Sequence, residues 1–150
     1  MNAVDLIVED EAWDRLEGKA TLAETSVAAA QCEIDDILPG VVAILFTSDE
    51  AVAQLNKGFR SKDGPTNVLS FPAGEHADNH LGDIALAWGV VEREAADKQI
   101  SVEDHVRHLI VHGFLHLQGY DHQNDDEAEQ MEDLERRALA RLGVSDPYAE

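Results

Sequence analysis

The chain has 150 residues, with 31 acidic side chains against 11 lysines and arginines, so its formal net charge is −20. Apolar residues make up 44% of the chain, which excludes an acidic disordered protein because such proteins lack the apolar content to form a core. No apolar run approaches the roughly 20 residues that a membrane-spanning helix needs, and residues 1–10 lack the pattern of a signal peptide. The single cysteine, Cys32, agrees with a reducing compartment. We therefore expect one cytoplasmic domain over residues 1–150 with no membrane contact.

Hydrophobic periodicity and end signals divide the chain into alternating strands and helices. Alternating or continuous apolar runs predict strands at residues 4–8, 41–46, 68–71 and 84–88. Composition, caps and one-sided apolar faces predict helices at residues 13–34 (broken near Gly18), 47–55, 101–118 and 125–142. Residues 58–65 are predicted as a loop. The pattern predicts an α+β (mixed α/β) fold, with a small mixed sheet of about four strands and about five helices.

Three histidines mark the end of the predicted central helix and the turn after it. His112 and His116 are four residues apart, which places both imidazoles on one helix face. Gly119 stands where a left-handed residue commonly ends a helix, so the chain can turn back and bring His122 to the same ion. Three neutral imidazoles with an open fourth position are typical of a catalytic zinc site, where the ion lowers the pKa of its bound water. We predict one Zn²⁺ ion held by His112, His116 and His122 at the end of this helix.

Two other classes of protein fit the same histidine spacing. The pattern H-x-x-x-H-x-x-G-x-x-H is also that of the metzincin proteases, in which a glutamate after the first histidine activates water. Gly113 stands in that place here and cannot take a proton, which weakens the protease interpretation. The second alternative is a binding module with a structural zinc ion, whose fourth ligand would be Cys32 or His108.

The motif HGFLHLQGYDH at residues 112–122 resembles the signature of the bacterial YbeY endoribonucleases, the rRNA maturation factors. Similarity extends to PTNVLSFP at residues 65–72, to the preceding Leu55-Asn56, Phe59-Arg60 and Lys62-Asp63, to LGDI at residues 81–84, and to Met131 and Glu135. The resemblance covers about residues 41–142. Asn67 is a departure, because the family usually has aspartate there; the change removes a charge and keeps an acceptor.

The resemblance implies a single-strand-specific, zinc-dependent endoribonuclease that acts in 3′-end maturation of small-subunit rRNA and in ribosome quality control. The partners it implies are single-stranded rRNA, the small ribosomal subunit, one of that subunit's proteins and the GTPase Era, with no role for DNA. The structural-zinc alternative then becomes a non-catalytic ribosome assembly factor. On the same basis Arg60 and His112 align with residues on which the family relies for activity. A guanidinium can bind a phosphodiester through two parallel hydrogen bonds.

The lysines on either side of Arg60 are candidates for substrate binding. Lys57 and Lys62 lie with it in residues 57–66, a net-positive stretch of three bases and one acid in a chain that is otherwise acidic. Both lysines are equally compatible with ordinary surface positions. The acidity of the rest of the chain excludes a general nucleic-acid binder and suits docking to basic ribosomal proteins.

Two aspartates are candidates for supporting the metal ligands from behind. Asp83 follows Gly82 at the start of a predicted strand, and Asp121 immediately precedes His122. A carboxylate that accepts the second N–H of a ligand histidine orients that histidine. A helix cap or a turn cap is the alternative role for each aspartate.

Overall fold

The computed structural model describes residues 2–60, 64–74 and 78–149, and its strands and helices are mixed along the chain. Strands β1 to β4 span Val4–Val8, Val41–Thr47, Val68–Pro72 and His80–Ala87. Helices α1 to α5 span Lys19–Gln31, Asp49–Arg60, Trp88–Lys98, Val102–Leu117 and Asp125–Arg141, and a short 3-10 helix at Glu11–Arg15 precedes α1. Four strands and five α-helices within the described residues confirm the predicted α+β fold.

The four strands form one mixed sheet in the order β1-β2-β4-β3. Strands β1, β2 and β4 are parallel, whereas β3 runs antiparallel to β4 at one edge. Because successive side chains of a strand point to opposite faces of its sheet, Ile84 and Leu86 face one side and Asp83 and Ala85 face the other. This alternation decides which strand residues can reach the helix that carries the histidines.

Helix α4 is enclosed by its neighbours. It packs with α1 and α5 on one face of the sheet, against β3 and β4, and it also contacts α3. Helix α2 covers the other face, where Val52, Leu69, Ala85 and Ala87 form a smaller apolar cluster. Within the part of the chain that the structure describes, no helix is both long enough and apolar enough to cross a bilayer.

Two helices differ from the sequence-based expectation. Helix α2 continues past Leu55 to Arg60, so the first three residues of the predicted 58–65 loop are helical. Helix α3, Trp88–Lys98, is absent from the predicted elements. It follows β4 directly without a side-chain cap, and the apolar run IALAWGVV passes through the junction, so neither end signal nor periodicity marks its start. The predicted break near Gly18 is present, with a φ of 71° that glycine adopts readily.

Two glycines allow α4 to approach the β3–β4 edge closely. A Cβ at Gly82 would lie 2.5 Å from the carbonyl oxygen of Phe71 and 2.6 Å from Cδ2 of Leu117. A Cβ at Gly113 would lie 3.0 Å from Oγ of Ser70, which donates a hydrogen bond to the Gly113 carbonyl oxygen at 3.2 Å. Small residues are therefore needed on both the strand side and the helix side of this contact.

Replacement of Gly82 by alanine is expected to lower the free energy of unfolding by about 1–3 kcal/mol, because the added methyl group meets backbone and a packed leucine. Gly58→Ala is the control, since nothing lies within 4 Å of a Cβ at that exposed position of α2. It should raise stability by about 0.5–1 kcal/mol through the higher helix propensity of alanine. Urea unfolding of both variants measures this, and an unchanged Gly82→Ala would contradict the close-packing account.

A buried histidine on α4 pairs with a partly exposed glutamate on α3. Nε2 of the fully buried His105 lies 2.8 Å from Oε1 of Glu94, and the same oxygen accepts a hydrogen bond from Nδ2 of Asn67 at 3.0 Å. Burial lowers the pKa of His105 by more than the bond to Glu94 raises it, and the charge of Lys98 lowers it further. Burial raises the pKa of Glu94, but the bonds from His105 and Asn67 outweigh this and bring it below its ordinary value.

The lowered pKa of His105 predicts a loss of stability as the pH falls below 6.5, because the unfolded chain then binds a proton that the folded chain resists. His105→Gln, measured with a chelator present, should therefore show a shallower decline in unfolding free energy between pH 7 and pH 5. Val106→Ala, a truncation of a buried residue next in sequence, should lower stability equally at both ends of this range. Parallel slopes for wild type and His105→Gln would refute the assignment.

Candidate metal centre

In the last two turns of α4, the imidazoles of His112 and His116 lie next to each other. Nε2 of His112 and Nε2 of His116 are 3.2 Å apart, and the ring centroids are separated by 4.6 Å. This arrangement follows from the four-residue spacing, because side chains at i and i+4 lie one above the other on a helix.

The chain reverses after α4 through a Schellman turn centred on Gly119. Its φ is 99°, its N–H donates to the carbonyl oxygen of His116, and the N–H of Tyr120 donates to that of Leu115. The turn brings His122 back to the pair on the helix. One ligand atom from each of the three histidines lies within 4.8 Å of the other two.

The hydrogen bonds behind two of the rings determine which nitrogen faces the site. Nδ1 of His116 lies 3.0 Å from the carbonyl oxygen of Tyr120, which can only accept, so Nδ1 carries the proton. Nδ1 of His112 lies 3.2 Å from Oε1 of Glu135, a carboxylate on α5. Both Nε2 atoms therefore present lone pairs to each other across 3.2 Å. Such an approach is repulsive unless a proton or a metal cation lies between them.

The separation of these two nitrogens fits a zinc ion. Two nitrogen ligands of a tetrahedral zinc, each about 2.0–2.1 Å from the ion, lie about 3.3 Å apart. Burial, and then the charges of His112 and His122, lower the pKa of His116, which keeps the imidazole neutral as a ligand must be. The separation of the two nitrogens and the neutral state of His116 are thus appropriate for zinc.

Glu135 is the buried carboxylate behind the site. Burial raises its pKa, but hydrogen bonds from His108 and His112 outweigh this and bring it to about 2. Nε2 of His108 lies 2.8 Å from Oε1, the same oxygen that His112 contacts. An ionised carboxylate in this place increases the basicity of the ligand imidazole and holds its orientation.

The histidines open onto a polar cleft of about 520 Å³. One wall is the beginning of β3 and the segment before it, and the opposite wall is the turn after α4. The residues that line the cleft are Thr66, Asn67, Val68, Ser70, Pro72, His112, His116, Gly119, Tyr120, Asp121, His122 and Gln123. The cleft gives a substrate access to the three histidines, to which the described residues add no fourth ligand.

The two predicted supporting aspartates have different positions. Oδ1 of Asp121 accepts the backbone N–H of His122 at 2.8 Å, and its charge acts to raise the pKa of His116. Asp83 does not support a ligand histidine, and that prediction is wrong. Its Oδ1 lies 2.8 Å from Nε2 of His80, on the sheet face opposite α4, because strand alternation turns it away from the helix.

The predicted cationic residues lie on and after α2. The backbone of Arg60 forms the last residue of α2 rather than part of a loop; its side chain and Lys62 are outside the described residues. Lys57 is exposed on the same helix and is not among the described residues that line the cleft. The carbonyl oxygen of Gly64 accepts a hydrogen bond from Nδ2 of Asn56. The chain then continues to Thr66, which lines the cleft.

The other two interpretations of the histidine spacing find no support in the site. In the described residues, neither Cys32 nor His108 joins the three histidines; the cysteine is exposed at the end of α1. A Cβ in place of Gly113 would lie 3.0 Å from Oγ of Ser70 and 3.1 Å from Cγ2 of Ile84, so a glutamate there, the base of a metzincin protease, would require both neighbours to shift.

Glu135 is the supporting residue that sequence reasoning left without a role. Its signal is visible in retrospect, because it lies among Met131, Leu134 and Ala138 on the apolar face of α5 and is 1% exposed. A charged side chain on the buried face of an amphipathic helix needs a partner inside the protein. The partner could not be identified from spacing, since 23 residues separate Glu135 from His112.

Comparison with known proteins adds an independent line of support. A sequence model of the family described as endoribonuclease YbeY matches residues 8–143. A protein named endoribonuclease YbeY from Maricaulis maris is 70% identical over 148 residues, covering 99% of this chain and 92% of the relative. The protein of the same name from Rhodopseudomonas palustris is 45% identical over 152 residues, covering 97% and 80%.

A solved structure shows the same fold. The solution structure of a Thermotoga maritima protein aligns with a TM-score of 0.57 and 26% identity, covering 98% of this chain and 99% of that one. The family match spans most of the chain, and the resemblance predicted from the histidine motif is confirmed. On the strength of that match and of the 70% identical relative, the chain belongs to the YbeY endoribonuclease family.

Proposed function

We propose that the protein is a zinc-dependent endoribonuclease that cuts single-stranded RNA at the three-histidine cleft. The observation that carries the proposal is the approach of two Nε2 lone pairs to 3.2 Å, with Nδ1–H of each ring directed to an acceptor behind it. The names of the relatives supply the reaction class, since each is called an endoribonuclease. A bound zinc ion would supply polarisation of a phosphate oxygen and a water of lowered pKa.

Different residues of this chain bind the ion and the substrate. His112, His116 and His122 bind the ion and leave the cleft side open. Arg60 binds the phosphodiester and stabilises the charge that builds on its oxygens. Its place in the chain supports this role, because Arg60 ends α2 and Thr66, six residues later, lines the cleft.

We further propose that the substrate is the 3′ end of small-subunit rRNA, with a part in ribosome quality control in the cytoplasm. The proposed partners are the small ribosomal subunit, one of its proteins and the GTPase Era. The charge distribution supports such partners: a net charge of −20 repels RNA at long range and attracts basic ribosomal proteins. The positive segment 57–66 and the ion would then provide local attraction for the phosphate.

Removal of one ligand is expected to remove the metal. His116→Ala should lose bound zinc, because two imidazoles with no third protein ligand hold zinc weakly. Elemental analysis after gel filtration measures the zinc content. His80→Ala is the matched control, since that half-buried histidine pairs with Asp83 outside the site and its loss should leave the zinc content unchanged. A full equivalent of zinc in His116→Ala would show that the ligand assignment is wrong.

Cleavage of a small-subunit rRNA precursor should depend on both zinc and Arg60. We expect chelation to abolish cleavage and Arg60→Ala to slow it by about 100-fold, the usual effect of losing one group that stabilises transition-state charge. Arg15→Ala is the control, because that arginine makes an exposed ion pair with Glu92 and is not among the described residues that line the cleft. Casein incubated in parallel should stay intact.

Two outcomes of this assay would contradict the proposal. RNA cleavage that survives both Arg60→Ala and chelation would come from a contaminating nuclease. Zinc-dependent cleavage of casein without cleavage of RNA would identify a protease instead.

A further inference from the structure

The segment after α5, residues 143–149, folds back against α4. A second Schellman turn begins it, with Gly143 at a φ of 75° and the N–H of Val144 donating to the carbonyl oxygen of Leu139. Near the end of the segment, the ring of Tyr148 makes a T-shaped contact with the ring of His108, with centroids 5.7 Å apart and planes at 88°. Residues 144–149 of this segment lie beyond residues 8–143, the part of the chain that the family model matches.

The hydroxyl of Tyr148 reaches the carboxylate behind the metal centre. It donates to Oε1 of Glu135 at 3.0 Å and lies 3.4 Å from Nε2 of His108. Oε1 is the oxygen that also contacts His112 at 3.2 Å. One oxygen of a buried carboxylate thus accepts from two imidazoles and one phenol, and one of those imidazoles is a proposed zinc ligand.

The segment is held in this position by contacts of its own. Nε of Arg136 lies 3.1 Å from Oδ2 of Asp146, and the guanidinium of Arg136 lies 5.9 Å from the ring centroid of Tyr148. Oδ1 of Asp146 accepts the backbone N–H of Tyr148 at 2.8 Å. Val144 packs against the main core. The phenol is therefore directed at Glu135 by an ordered turn.

The hydrogen bond from Tyr148 affects the position of Glu135 and, through Glu135, the hydrogen bond of His112. Glu135 is 1% exposed, so water does not compensate its charge and the donors around it determine where Oε1 lies. His108, Tyr148 and His112 all contact Oε1, at 2.8, 3.0 and 3.2 Å, so the contact with His112 is the longest of the three. Loss of the phenol frees the carboxylate to move toward His108, which weakens the bond that keeps the proton on Nδ1 of His112.

We propose that Tyr148 is a positioning residue of the metal centre, whose hydroxyl fixes Glu135 so that His112 presents Nε2 to the ion. This inference rests on the proposed metal site and adds to it a contribution from the C-terminal segment. Tyr148 does not touch the ion or the substrate. Its effect is on the affinity for zinc and on the tautomer of His112.

The test compares the zinc affinity of purified wild type and Tyr148→Phe at pH 7, by competition with a chelating dye. The variant keeps the ring and loses only the hydroxyl, and we expect its zinc dissociation constant to rise about tenfold, at the lower end of the effect of losing an outer-shell partner. Val42→Ala is the control: it should reduce stability without changing zinc affinity, because Val42 is a buried core residue of β2 and lies outside the C-terminal segment.

A spectroscopic measurement separates positioning from general destabilisation. Nitrogen-15 NMR of the metal-free protein should show His112 as the Nδ1–H tautomer in wild type and as a mixture in Tyr148→Phe. The double variant Tyr148→Phe with Glu135→Gln should bind zinc no more weakly than Glu135→Gln alone, because both changes act through one hydrogen bond.

The outcomes distinguish failure of the proposed role of Tyr148 from failure of the proposed metal site. If wild type binds zinc, His116→Ala does not, and Tyr148→Phe binds as tightly as wild type with His112 unchanged, the role of Tyr148 is refuted while the metal site stands. If wild type binds no zinc, or His116→Ala retains it, the metal site fails and the role of Tyr148 fails with it.

Discussion

Helix α4 packs against the sheet and three other helices, and each of its four imidazoles has a hydrogen-bond partner within the protein. This constraint organises the rest of the structure. Helix α3 supplies Glu94 for His105, and α5 supplies Glu135 for two further histidines. The turn after the helix supplies the Tyr120 carbonyl oxygen for the last one. A buried imidazole without an acceptor would lower stability by the full desolvation of its N–H group.

The same acceptors that satisfy burial also prepare the site for a metal ion. An acceptor behind Nδ1 places the lone pair on Nε2, and two such lone pairs meet at 3.2 Å. Stability and function therefore use the same hydrogen bonds. Repulsion between the two nitrogens disfavours the metal-free state and is relieved when a cation is bound. The close approach of α4 to the β3–β4 edge, made possible by Gly82 and Gly113, places this pair against the cleft wall.

The acidity of the chain and its proposed RNA substrate are compatible once charge is considered by location. Among the described residues that line the cleft, Asp121 is the one carboxylate, and it lies there with the three histidines. A divalent ion there would be the largest local charge, and it is absent from a formal count of side chains. A strongly negative surface and a phosphate-binding centre can therefore coexist in one small protein.

Local patterns in the sequence determined most of the fold and the metal-binding candidates. Four of these patterns depend on neighbouring residues alone and can be recognised without the rest of the chain. They are the period of two in β1, the apolar run of β2, the serine cap of α4 and the i, i+4 histidines. The start of α3 could not be read in this way, because no cap marks it and its apolar run continues from β4. Only the tertiary structure decided that Asp83 points away from the histidines and that Glu135 and Tyr148 lie behind them. These contacts join residues far apart in the chain, and they depend on which face of the sheet or helix each residue occupies after packing.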